Sequence, residues 1–200
     1  MSPSPLPATD PFVLFAAWLA DARRTEINDP NAMTVATIGL DGAPDARIVL
    51  LKSQDERGFV FYTNYESRKG QELAADPRAT LVFHWKSLQR QIRIEGVVER
   101  VTAGEADAYF TSRPRLSKLG AWASDQSRPL AERAELERRL AEAEARYPDE
   151  DVPRPPHWSG FRLLPYRFEF WRDMPYRLHD RLIFTRDEAL ASWSTRRLFP

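Results

Sequence analysis

The stretch from Arg47 to Lys69 constrains this chain most. It reads RIVLLK, then SQDERG, then FVFYTNYESRKG. The run Ile48-Val49-Leu50-Leu51 is short and wholly apolar, which predicts a buried strand over Arg47–Lys52. Phe59 to Thr63 predicts a second strand, with Glu56-Arg57-Gly58 as the turn before it. Ser67 suits the N-cap of a helix, which places Arg68 and Lys69 in its first turn. A helix start carries partial positive charge, so cations there are unfavourable by about 0.3–1 kcal/mol. A hydroxyl, free N–H groups and two cations at one helix start suit an anion. Arg47 and Lys52 add two more cations, and Tyr62 and Thr63 add hydroxyls. Each charge alone reads as ordinary solvated surface; together on one strand–strand–helix unit they point to a phosphate site.

Around this unit the pattern is many strands with a few inserted helices. Asp10-Pro11 reads as the cap and first residue of a helix whose apolar face holds Phe12, Phe15, Ala16 and Leu19. Met33–Leu40 predicts a strand paired through Asp41-Gly42 to the Arg47 strand. Further strands are expected at Thr80–Trp85 and Arg90–Val101, then a short helix at Gly104–Thr111. Residues 114–127 read as irregular and 130–147 as a solvated, charge-paired helix. A proline-rich extended connection follows at 148–156. Strands at Phe161–Trp171, Tyr176–Thr185 and Ser192–Leu198 close the chain. This is mainly β with inserted helices, the pattern of a closed or partly closed barrel. Two hundred residues suit one domain over 10–200, after a mobile Pro- and Ser-rich segment at 1–9.

Composition excludes several classes. Lys+Arg and Asp+Glu both number 29, so no global field draws the chain to nucleic acid or a membrane surface. Cysteine is absent, which removes disulfides and thiolate metal sites. His84, His157 and His179 lack ligand spacing, so no metal is expected. No apolar run approaches the ~20 residues of a membrane span. The start MSPSPLPATDP has neither the basic end nor the apolar centre of a signal peptide, so a cytoplasmic location is expected.

Two further groups carry potential chemistry. Tyr109, Arg113 and Ser117 recur every four residues, although Pro114 ends any single straight helix near Arg113. A phenol, a guanidinium and a hydroxyl suit a phosphate; the alternative for Tyr109 is a core aromatic beside Phe110. In RLHDR, period 2 places Arg177, His179 and Arg181 on one strand face. Three potential cations on one face call for an anion, or for pairing with Asp180 and Glu169.

Taken in order, RIVLLK, FYTNYESRKG, HWKSLQRQIRIEG, YFTSRPRLSKLGAWASDQS, VPRPPHW, FEFW and RLHDR resemble the pyridoxine/pyridoxamine 5′-phosphate oxidase family, from about Asp10 to Pro200. The resemblance implies an FMN-binding split β-barrel and a homodimer with FMN at the interface. It implies cofactor contacts at Arg47, Ile48, Val49, Leu50, Leu51 and Lys52, at Tyr62 and Thr63, and at Arg68 and Lys69. Gln91, Gln126, Ser127, Trp171 and Arg181 complete that set. Substrate contacts are implied at Lys52, Tyr109, Arg113, Ser117, Arg177 and His179, with Arg177 and His179 as the catalytic pair. The implied reaction oxidises pyridoxine 5′-phosphate or pyridoxamine 5′-phosphate with O2 to pyridoxal 5′-phosphate. Longer members carry an Arg-x-x-Tyr segment ahead of the first helix that folds over the substrate. MSPSPLPATD has no such motif, so the site is either less enclosed or closed by other residues. Two other readings stand beside this one: a related flavin oxidase on another ring, such as a phenazine precursor, and a flavin or B6-phosphate carrier without turnover.

Overall fold

The structure, a computed structural model, describes residues 6–7, 10–187 and 192–200. Apart from Leu6 and Pro7, the expected mobile segment therefore lies outside the described residues or at their edge. Leu6 itself is buried, donates its N–H to Asp180 and accepts from Arg197.

The architecture is a strongly curved antiparallel sheet with helices on its flanks, a split β-barrel. Its strands are β1 (Ala32–Ile38), β2 (Pro44–Leu50), β3 (Ser53–Asp55), β4 (Gly58–Asn64), β5 (Arg78–Trp85), β6 (Arg90–Arg100), β7 (Trp158–Arg172), β8 (Asp180–Thr185) and β9 (Ser194–Arg197). The order runs β2-β1-β5-β6-β7-β4-β3, with β8 also on β7 and β9 outside β8. β7 is the spine: β6 pairs along one edge, while β4 and then β8 share the other. A register shift at Glu95/Gly96 bends β6 where the sheet curls. A Cβ at Gly96 would stand 2.3 Å from the Leu164 carbonyl oxygen, so only glycine fits that bend.

Helix α1 (Pro11–Thr25) closes the interior of the curve. Asp10 caps it by accepting from the N–H groups of Phe12 and Val13. Its buried face is Leu14, Phe15, Trp18, Leu19 and Ala22; Ala16, expected on that face, is exposed. Phe15 meets Phe59 and Phe83 edge-on at 4.8 and 5.1 Å, and Trp18 meets Phe170 at 5.3 Å. Truncating such a core phenylalanine to alanine costs about 3–5 kcal/mol. No described helix is long and apolar enough to cross a membrane.

Four sequence expectations need correction. The RIVLLK strand ends at Leu50 and is not buried: Ile48 is 66% exposed and Leu51 alone of the run is buried. β2 is an edge strand, paired only to β1, and one of its faces lines a cleft. Part of the SQDERG turn is itself a short strand, β3, because Ser53–Asp55 pairs back onto Gly58–Val60. Residues 114–127 are not all irregular: α4 (Arg115–Ala123) follows α3 (Ala103–Thr111) after a break at Pro114. The Tyr176–Thr185 strand begins only at Asp180, since Pro175–Arg177 forms a 3₁₀ turn. Tyr176 and Arg177 there sit in the left-handed region at φ 60° and 61°. Each costs about 1–2 kcal/mol as a non-glycine residue. Arg177, His179 and Arg181 therefore do not share a strand face.

Candidate active site

Helix α2 (Arg68–Ala75) begins beside the C-terminal end of β4. Ser67 caps it, accepting from the Gly70 N–H and donating to the Asn64 carbonyl. That hydroxyl is fully buried and already used, so it is not one of the anion donors expected of it. Gly70 permits the tight approach of helix to strand: a Cβ there would lie 2.3 Å from the Tyr65 carbonyl oxygen. Lys69 is thereby folded inward. Its Nζ donates to Gln126 Oε1 at 3.0 Å and to Thr63 Oγ1 at 3.3 Å. Among the described residues no carboxylate lies within ion-pair reach of it. Burial, then the nearby Arg47 charge, push its pKa below the usual lysine value, against weaker opposition from Glu72 and Asp45.

The two arginines of this region are tied down, which sequence alone did not indicate. Arg47 pairs with Glu72 at 2.8 Å and Asp45 at 2.7 Å, and donates also to Thr37. Arg68 uses its Nε for the same two carboxylates, at 3.0 and 2.8 Å.

These residues line one wall of a cleft of about 1120 Å³. Arg47 to Leu50, Lys52, Tyr62, Thr63, Arg68 and Lys69 all border it, as do Gln126 and Ser127 after α4. Leu51, expected with them, packs in the core instead. The opposite wall comes from α3, α4 and the break between them. Tyr109, Arg113 and Ser117 reach the same cleft although they belong to no single helix. Tyr109 is not a core aromatic: it stacks on Tyr62 with centroids 4.1 Å apart, and Tyr62 stacks on Trp158 at 5.4 Å. Lys52 Nζ stands 5.8 Å from the Tyr109 ring. The Arg113 guanidinium lies 4.6 Å over Trp158, and its buried Nη1 has no hydrogen-bond partner. Burial pushes its pKa down, with only Tyr109 opposing. Arg113 thus borders the cleft with no carboxylate partner among the described residues, and a buried, unpartnered guanidinium nitrogen is costly. Trp158, Asp45 and Asn64 also line the cleft and escaped the sequence reading. Trp158 was in view only as part of the VPRPPHW match.

The remaining predicted residues lie elsewhere on the chain. Gln91, Trp171 and Arg181 are neighbours across β6, β7 and β8. His179 packs on Trp171 with ring centroids 4.7 Å apart and contacts Asp173 at 3.0 Å. Arg181 forks onto buried Glu169, at 2.6 and 2.8 Å, so the ion-pair alternative holds for this residue. Asp180 pairs with Arg172 and Arg197 rather than with its own cluster. Arg177 is exposed and forms no ion pair among the described residues. None of these five borders the cleft of its own chain.

Residues 19–147 match the family model of pyridoxamine 5′-phosphate oxidase, and residues 158–200 match that of the pyridoxine 5′-phosphate oxidase C-terminal dimerisation region. The chain belongs to the pyridoxine/pyridoxamine 5′-phosphate oxidase family. The curated family member from Azorhizobium caulinodans is 63% identical over 193 residues, covering 96% of this chain and 91% of that one. The member from Caulobacter vibrioides is 61% identical over 198 residues, covering 99% and 88%. Among solved structures, PhzG from Burkholderia lata 383, in complex with tetrahydrophenazine-1-carboxylic acid, superposes with a TM-score of 0.90. It is 34% identical, and the match covers 97% of this chain and 94% of that one. A pyridoxamine 5′-phosphate oxidase-related, FMN-binding protein from Nostoc punctiforme shares the fold, with a TM-score of 0.77 at 16% identity and coverage of 97% and 100%.

Proposed function

We propose that this chain is an FMN-dependent oxidase that converts pyridoxine 5′-phosphate or pyridoxamine 5′-phosphate to pyridoxal 5′-phosphate, reducing O2 to H2O2. The observation that carries the reading is a single cleft with two separate sets of cations. Lys69 sits against Thr63 and Gln126, with Arg68 beside it at the start of α2; Lys52 and Arg113 lie by the Tyr109–Trp158 stack. Two phosphorylated ligands, a flavin mononucleotide and a B6 phosphate, need two such sets. The volume and the flat aromatic walls suit two stacked ring systems.

A bound flavin would supply the redox chemistry, taking up one hydride, which carries both electrons, from C4′ of the substrate and giving the two electrons to O2 as H2O2 forms. The protein's own contribution is position and charge. Lys69 and the Arg68 fork would hold the cofactor phosphate, while Gln126 and Thr63 fix the Lys69 ammonium. Lys52, Arg113, Tyr109 and Ser117 hold the substrate phosphate. The Tyr62–Tyr109–Trp158 stack excludes water from one side and leaves Arg113 desolvated, which strengthens its pull on an anion.

The protein is a homodimer, built through the region matched at 158–200. Arg177, His179, Trp171, Arg181 and Gln91 lie outside their own chain's cleft, so a two-fold partner can bring them to it. In this reading Arg177 orients the substrate, and His179 binds it or moves a proton. Residues 10–200 act as one unit because β7 joins both matched regions in one sheet. A cytoplasmic location follows from the ligands, since doubly charged phosphate esters do not cross a bilayer unaided.

The phenazine-type alternative offers the Lys52–Arg113 set a carboxylate in place of a phosphate, and identity to the B6-phosphate oxidases is about 60% against 34% to PhzG. The deciding experiment is oxygen-dependent formation of pyridoxal 5′-phosphate from both substrates by purified protein, with release of FMN on denaturation. A yellow protein that turns over neither substrate would reduce the reading to a carrier or an oxidase of another ring.

A further inference from the structure

Glu72 is the most deeply buried carboxylate beside the cleft, 1% exposed, yet it does not line it. Its Oε2 accepts from Thr37 Oγ1 at 2.7 Å and from Arg47 Nη2 at 2.8 Å. Its Oε1 accepts from Arg68 Nε at 3.0 Å. Asp45 Oδ2 meets the same two nitrogens, Arg47 Nη2 at 2.7 Å and Arg68 Nε at 2.8 Å. Two carboxylates and two guanidiniums thus form one closed square.

The square divides the arginines by role. Arg47 spends Nη2 on the carboxylates and Nη1 on Thr37 and the Val35 carbonyl. Arg68 spends only Nε; its two terminal nitrogens make no hydrogen bond among the described residues. Held by Nε alone, the exposed Arg68 side chain keeps its planar fork free for an anion. Without the square it is a flexible surface arginine that must lose rotamer freedom on binding.

We propose that Glu72 is a positioning residue: with Asp45 it locks Arg47 as a strut and aims the terminal fork of Arg68 at the cofactor phosphate. The assignment rests on the FMN reading above. It also has a sign that simple electrostatics would reverse. A carboxylate beside an anion site repels the anion, so removing it should tighten binding if charge alone mattered. Positioning predicts the opposite, because Glu72→Gln leaves Arg68 and the partly buried Arg47 to share Asp45 alone, which loosens both.

The test compares FMN with riboflavin, which lacks the phosphate, by fluorescence titration of apoprotein for wild type, Glu72→Gln, Arg68→Ala and the double variant. Thermal melts check that each is folded, and Asp45→Asn serves as the second, less buried probe of the square. The expected result is about a tenfold loss of FMN affinity in Glu72→Gln with riboflavin affinity unchanged. Little further loss is expected when Glu72→Gln is added to Arg68→Ala, the coupling that shows it acts through Arg68. Asp45→Asn should show the same selectivity for the phosphate, more weakly. Equal losses for FMN and riboflavin, additive losses in the double variant, or unchanged or tighter FMN binding would each overturn the assignment. Failure of the wild-type protein to bind FMN would instead overturn the functional reading beneath it.

Discussion

Lys69→Met separates the stability of this protein from its cofactor affinity. The Lys69 ammonium is buried against Thr63, Ser67 and Gln126, three neutral oxygens, with no carboxylate in ion-pair reach among the described residues. Burial is the largest influence on it and opposes its charge. Methionine fills similar volume without that charge. The apoprotein should therefore gain about 1 kcal/mol, which for a chain of this size raises Tm by about 2–4 °C. The same change removes a charge-assisted contact to the phosphate, worth about 1.5–3 kcal/mol, so FMN affinity should fall roughly 10- to 150-fold. Differential scanning calorimetry of apoprotein and flavin fluorescence titration give both numbers. A lower apoprotein Tm with unchanged FMN affinity would refute the reasoning, since Lys69 would then be a structural hydrogen-bond donor.

Three other outcomes follow from the geometry. FMN affinity should fall as pH rises through the Lys69 pKa of the apoprotein, because the phosphate binds the protonated form; that midpoint lies below the ordinary lysine value of 10.5 and should vanish in Lys69→Met. Arg113→Ala should retain flavin and dimer but lose at least about tenfold in kcat/KM for pyridoxine 5′-phosphate, because Arg113 borders the cleft and no carboxylate neutralises it among the described residues; an unchanged kcat/KM would remove it from the substrate set. Arg181→Ala should lower Tm and weaken flavin binding, since it strips a two-pronged partner from buried Glu169, whereas exposed Arg177→Ala should keep both and lose about tenfold in kcat/KM, or ~1.4 kcal/mol. Identical profiles for these two variants would show that the 177–181 segment acts as one structural unit.

What the sequence revealed, and what it hid, follows from the range of each signal. The Ser67 cap, the Asp10 cap and the Asp41-Gly42 hairpin are local signals and were legible. The apolar run at Ile48–Leu51 was misread as buried because period and hydrophobicity cannot distinguish a core strand from an edge strand that borders a cleft. Helix α4 gives no start signal in the sequence, because Pro114 stands at its N-cap with no side-chain cap. The RLHDR segment failed period-2 reasoning because two non-glycine residues adopt left-handed backbone, which no residue type there signals. Of the site, the cations were visible and their counter-ions were not. Arg68–Glu72 is an i,i+4 pair on α2 and Asp45–Arg47 a pair along β2, but the crossed contacts Arg47–Glu72 and Arg68–Asp45 form only once β2 and α2 are brought together. The separation of the predicted residues into two groups on one chain was equally invisible, because it depends on which strands β7 joins.

That separation is the centre of the account, and mixing two damaged proteins tests it. Arg113→Ala damages the cleft, and Arg177→Ala damages the group outside it. Each homodimer alone should keep about a tenth or less of wild-type kcat/KM for pyridoxine 5′-phosphate while remaining yellow. Unfolded together and refolded with FMN, they form mixed dimers in which one site is intact if each site draws on both chains. Random pairing then predicts recovery of about a quarter of wild-type activity. If instead the mixture shows no more than the sum of its separate parts, with mixed dimers confirmed by mass spectrometry, each site is built within a single chain and the account is wrong.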